Sequence, residues 1–134
     1  MKKRLLAILM LVLCLCYTGS TFALAPDEEA TDIEISPLSV LSVDCGLSNS
    51  GGSTYLAWAN ATSSVSETIT VTVKLYRVVG STLTLITSGS NTASGTSAYV
   101  SKSASLSAGS YRVVATATGS ISSSGSRTRN YTVN

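Results

Sequence analysis

The chain has 134 residues, a net charge of +2 and no histidine. That length suits one domain with one core, and the missing imidazole removes the commonest general base, the usual zinc ligand and every Ser-His or Cys-His pair. The six basic residues from Cys45 to the end are too few and too dispersed for nucleic-acid binding.

Residues 1–23 read as a secretory signal peptide. Lys2, Lys3 and Arg4 give a positive start, Leu5 to Tyr17 is an apolar run, and small residues lead to a cleavage site after Ala23. The apolar run is 13 residues, short for a bilayer span. Cleavage takes the net charge from +2 to −1 and leaves Cys45 as the one remaining cysteine. An internal disulfide is then excluded. Cys45 is expected to be a small buried thiol, with an intermolecular disulfide, and hence a Cys45-linked homodimer, as the alternative. The expected location is extracellular, either released or held non-covalently at the cell envelope, with no membrane contact after cleavage.

Residues 24–36 form an acidic lead-in carrying Asp27, Glu28, Glu29, Asp32 and Glu34, expected to be flexible and solvated. From residue 37 to 134 the pattern becomes two-residue alternation in seven segments, separated by glycine, serine and asparagine clusters. Leu38 to Val43 is the first, with Val40 and Leu38 inward, followed by a loop at Ser48 to Gly52. Tyr55 to Ala61 is the second, with Leu56 and Trp58 on its buried face. In the third, Glu67 to Val79, the apolar Ile69, Val71, Val73 and Leu75 alternate with Thr70, Thr72, Lys74 and Tyr76. Gly80-Ser81 turns the chain into Leu83 to Thr87, and Ser88 to Gly95 is a loop. Ala98 to Leu106, Tyr111 to Thr118 and Arg127 to Val133 complete the set.

No stretch after the leader has helical spacing, and proline stays out of every strand interior. From Cys45 onward 35 of 90 residues are serine or threonine. Threonine alternating with valine or isoleucine gives a strand with one polar face that is still β-branched, suited to one-sided burial. The expected fold is an all-β, seven-stranded antiparallel sandwich, with an open or closed barrel as the alternative.

The stretch Leu106-Ser-Ala-Gly109-Ser-Tyr111 resembles the tyrosine corner of immunoglobulin-like and fibronectin type III-like sandwiches. A lone Trp58 on the second strand stands where fibronectin type III-like modules often place a core tryptophan. The resemblance covers residues 37–134 and implies that Trp58 and Tyr111 are structural core, with about 3–5 kcal/mol lost on truncating Trp58 to alanine. Val113 stands where antibody-type domains have their second cysteine, which favours the disulfide-free style of module. The format of a short signal and one Ser/Thr-rich sandwich is similar to small exported proteins of Gram-positive bacteria.

Chemistry is scarce. Beyond the lead-in only Asp44 and Glu67 carry carboxylates, both at strand ends, where glycosidase chemistry needs a facing pair. No Gly-x-Ser-x-Gly elbow, Ser-x-x-Lys or phosphate-cradling glycine loop is present. Lys74, Asn130 and Glu67 supply the residue types of an isopeptide cross-link, but alternation turns Lys74 outward. The chain is therefore expected to be non-enzymatic, with no catalytic, metal or cofactor-binding residue. Its expected role is an extracellular interaction or cell-envelope module, and the expected partner is a protein or a glycan. If the third, sixth and seventh strands share a sheet, its outer side presents Lys74, Tyr76, Arg112 and Asn130, of which tyrosine and arginine are the types that anchor interfaces. A carbohydrate-binding face around Tyr76 and Arg112, and self-assembly through open strand edges, are the alternatives. Asn60-Ala-Thr62 and Asn130-Tyr-Thr132 match the glycosylation sequon.

Overall fold

The computed structural model describes residues 39–134. The signal peptide (1–23), the acidic lead-in (24–36) and the inward placing of Leu38 lie outside the described residues. The described part is all-β: β1 (Leu41–Gly51), β2 (Thr54–Val79), β3 (Thr82–Ser105), β4 (Gly109–Gly119) and β5 (Gly125–Val133). Every pairing is antiparallel, in the order β1-β2-β4-β5, with β3 along the opposite edge of β2.

Five strands appear where seven segments alternate, because two pairs of segments run on without a break. The second and third become β2, and the fourth and fifth become β3. The stretch Ser88 to Gly95 has a loop's composition yet is strand. It is held by rungs to β2, and hydroxyls link the pairs: Thr70 Oγ1 and Thr92 Oγ1 are 2.8 Å apart, and Thr72 Oγ1 donates to Ser90 Oγ at 3.0 Å. Cross-strand threonine and serine pairs of this kind substitute for apolar contacts in a ladder.

β2 changes partners along its length. Its first half, up to Ser63, pairs β1, while residues 69 to 78 pair β4, and the register lapses between Thr62 and Glu67. The sheet curls there into a half-barrel and brings β1 against β4 and β5. The β2–β3 hairpin closes tightly at Gly80, whose φ of 61° is natural only for glycine in such a turn, and Val79 pairs Thr82.

The core fills the inside of the curl, and its two walls differ. The second half of β2 contributes Ile69, Val71, Val73 and Leu75, and β4 adds Tyr111, Val113, Ala115 and Ala117, all buried. The first half of β2 contributes Ala57, Ala59 and Ala61, beside Cys45 of β1 and Ala98 and Val100 of β3. Here the structure reverses the sequence-based facing of the second segment. Leu56 and Trp58 share a face, but it is the outer one, and both are only half-buried. Alternation fixes which residues share a side, not which side is inside. The first segment also moves. Val40 is 67% exposed, and β1 turns Leu41, Val43, Cys45 and Leu47 toward the core instead.

The corner before β4 has the expected parts in place. Leu106 and Tyr111 are buried, Gly109 takes a φ of 152°, and the Tyr111 hydroxyl donates to the Ser107 carbonyl at 2.6 Å. That bond ties the connection down onto the first buried ring of β4.

Candidate functional site

The outer face of the larger wall carries the residues singled out by sequence. Register places Leu85 of β3, Tyr76 of β2, Arg112 of β4 and Asn130 of β5 in one rung across four strands. Lys74 lies two residues along β2 on the same side, opposite Val114. The structure thus brings Lys74, Tyr76, Arg112 and Asn130 onto one face. Arg112 Nε donates to Asn130 Oδ1 at 2.9 Å, so the guanidinium is held in place and leaves its remaining donors open. Tyr76 and Arg112 are half-buried, Lys74 and Asn130 exposed.

The next rung toward the turn is Val78, Ser110 and Thr132. Ser110 is short, and a shallow depression of about 300 Å³ opens there, lined also by Arg112 and Asn130. Val78, Leu85, Ser110 and Thr132 were not singled out by sequence. The signal was available, because a two-residue turn at Gly80-Ser81 fixes Tyr76 opposite Leu85 and Val78 opposite Leu83.

Glu67, expected at a strand end, is buried at the bend of β2. Its Oε1 accepts from the Ser63 hydroxyl at 2.5 Å and from the Ser122 hydroxyl, and its Oε2 accepts from the backbone N–H of Ile121 at 2.7 Å and of Ser122 at 3.0 Å. Ser39 Oγ lies 2.6 Å from Ser122 Oγ and extends the cluster. The hydroxyl donors of Ser122 and Ser63, reinforced by the backbone N–H groups, hold the carboxyl pKa down from 4.5 to about 2. The carboxylate occupies the place a side chain on residue 119 would take, so Gly119 is required by space. This group locks the β4–β5 connection to the bend. It lies on the inner side of β2 while Lys74 projects outward and exposed, so the isopeptide residue types do not come together.

Cys45 has no exposed surface. Its thiol sits over the Arg127 carbonyl at 3.6 Å and the Val113 carbonyl at 3.9 Å, and burial raises its pKa against the opposing effect of Arg129. The thiol is enclosed between β1 and the β4–β5 pair. Asp44 next to it faces out and pairs with Arg129 at 2.8 Å. Tyr111 lies in the core at 1% exposure, whereas Trp58 belongs to the outer surface, its indole laid over Gly46.

No protein-family model matches this chain, and no curated protein does. Among solved structures it is similar to OgpA from Akkermansia muciniphila, with 13% identity and a TM-score of 0.47 over 69% of this chain and 28% of that one. The structure of catalytically inactive OgpA in complex with an O-glycopeptide (glycodrosocin) substrate gives 13% identity and 0.45, over 72% and 29%. A GH3 β-glucosidase from Bifidobacterium adolescentis gives 20% identity and 0.41, over 67% and 17%. The chain spans less than a third of the length of each.

Proposed function

We propose that this protein is an exported, non-enzymatic β-sandwich module of immunoglobulin-like or fibronectin type III-like type, and that it binds an extracellular protein through the face around Tyr76 and Arg112. The sandwich reading is supported by the pairing pattern. Dividing β2 and β3 at the bend gives one group of three, β1 with the first half of β2 and the second half of β3, against a group of four. The hydrogen bond from Tyr111 to Ser107 supports it as well.

One observation carries the choice of face: Arg112 is fixed by Asn130 at 2.9 Å in the same rung as a half-buried Tyr76 and an exposed Leu85. A guanidinium held in advance loses less freedom on binding, and tyrosine and arginine flanked by apolar neighbours are the composition of interface centres. The non-enzymatic part rests on the two acidic side chains among the described residues. Glu67 is buried and engaged by four donors, and Asp44 is tied to Arg129, so neither is poised to move a proton.

The test compares the immobilised full chain with a Tyr76→Ala/Arg112→Ala double variant of unchanged circular dichroism. Extracellular proteins from the source culture are passed over both. A partner retained by the native chain and lost by the double variant supports the face; equal retention by both removes it.

A further inference from the structure

We infer that Trp58 is the centre of a second binding surface, a flat platform for a neutral oligosaccharide of β-linked hexopyranose units. It stands independently of the face around Tyr76, on the outer side of the other half of the sheet.

Register lays out that surface rung by rung. Gly46, Trp58 and Ser101 form the middle rung, Asp44, Asn60 and Tyr99 the rung on one side, and Ser48, Leu56 and Ser103 the rung on the other. The indole lies flat across β1. A β-carbon on Gly46 would sit 2.5 Å from Cε2 and Cζ2 of Trp58 and 2.7 Å from Nε1, so the ring occupies the space a side chain would need. Gly46 is buried beneath it although it belongs to the outer side. One face of the indole is therefore spent on the backbone, Trp58 remains partly exposed, and no second described sheet lies over this outer side.

What surrounds the ring decides the ligand. Ser101 beside it and Ser48 and Ser103 beyond are short, and Leu56 is the one large side chain on that side. On the other side stand polar groups: the Asn60 amide, the Tyr99 hydroxyl on a residue 49% exposed, and the Asp44 carboxylate. Asp44 is neutralised by Arg129 at 2.8 Å, so the surface offers hydrogen bonds without net charge. That composition does not select a phosphate, a nucleic acid or a charged peptide. Leu56 is the one other large apolar neighbour in these rungs, too little for the apolar centre of a protein interface. A β-linked pyranose with equatorial hydroxyls fits both features. Its axial C–H groups form a flat face that packs on the electron-rich face of an indole, and its hydroxyls radiate in the ring plane toward amide, phenol and carboxylate partners.

The chain has one tryptophan, so intrinsic fluorescence reports Trp58 alone. The full chain is titrated with cellohexaose and chitohexaose, with α-linked maltohexaose for comparison. The expected result is a blue shift with either β-linked hexamer and a Kd on the order of 10⁻⁴ M. By calorimetry, Trp58→Ala should weaken binding at least about tenfold and Asn60→Ala about threefold, with Arg112→Ala unchanged. Circular dichroism shows whether Trp58→Ala keeps its fold; if it does not, Tyr99→Ala and Asn60→Ala carry the test. Absence of both spectral change and heat with the β-linked hexamers up to about 10 mM overturns the inference, as does binding that survives these substitutions. So does a dimer in sedimentation that Trp58→Ala dissociates, which would give the surface to a second copy of the chain. Because Arg112→Ala reads the other face, failure here is distinct from failure of the face around Tyr76.

Discussion

The two halves of β2 have the same backbone and opposite side-chain logic. Beyond the bend, the inward residues are the bulky Ile69, Val71, Val73 and Leu75, and the outward ones are polar or amphipathic. Before the bend, the inward residues are Ala57, Ala59 and Ala61, and the larger Leu56 and Trp58 stand outside. The pairing makes sense as a whole. A bulky wall needs a shallow one opposite, since interiors pack to a near-constant density and large residues on both walls would hold them apart. Alanines let the first half of β2, β1 and the second half of β3 close over the valines, and they release the one tryptophan to the surface.

Substitutions should expose this division of labour. The largest effect is expected on the bulky wall: Leu75→Ala leaves a cavity in a fully buried site and should cost about 2–5 kcal/mol in urea unfolding. Ala59→Leu adds volume to the shallow wall and should cost about 1–3 kcal/mol by overpacking; a neutral or stabilising result would show that the alanines are not in close contact across the curl. Trp58→Ala should come next at about 1 kcal/mol, far below the cost of emptying a core tryptophan site. A loss of 3 kcal/mol or more in the same assay would return the indole to the core. The last effect is absent at neutral pH. The folded pKa of Glu67 lies at about 2, below the ordinary 4.5, so its contribution is full above 4.5 and fades as pH falls through the interval toward 2. The urea midpoint of the native chain should drop across that interval more than that of Glu67→Gln.

Much of this was written plainly enough to read. Alternation from Ile69 to Leu75 placed the bulky wall, Gly80-Ser81 placed the hairpin, and the spacing of Leu106, Gly109 and Tyr111 placed the corner. Lys74, Tyr76, Arg112 and Asn130 could be set on one face because a period of two, once anchored by buried neighbours, leaves no freedom. The rest depended on partners remote in sequence. Alanine gives little hydrophobic signal, so Ala57, Ala59 and Ala61 do not mark the inside against Leu56 and Trp58. Ser88 to Gly95 extends only because β2 offers it rungs. Glu67 looks like a solvated strand-end acid until Ser122, 55 residues later, folds over it.

The hairpin that runs from Thr54 around Gly80 to Ser105 has a consequence for how the molecule assembles. Starting at a two-residue turn, each new rung closes a loop only slightly longer than the last, so pairing can zip outward at little entropic cost per step. By the time Thr54 meets Ser105, one ribbon already spans both walls, its ladder interrupted at the bend between Thr62 and Glu67. The halves are joined by two strands that run through the bend without a break in the chain, and the fold turns over on itself at the gap in their ladder between Thr62 and Glu67.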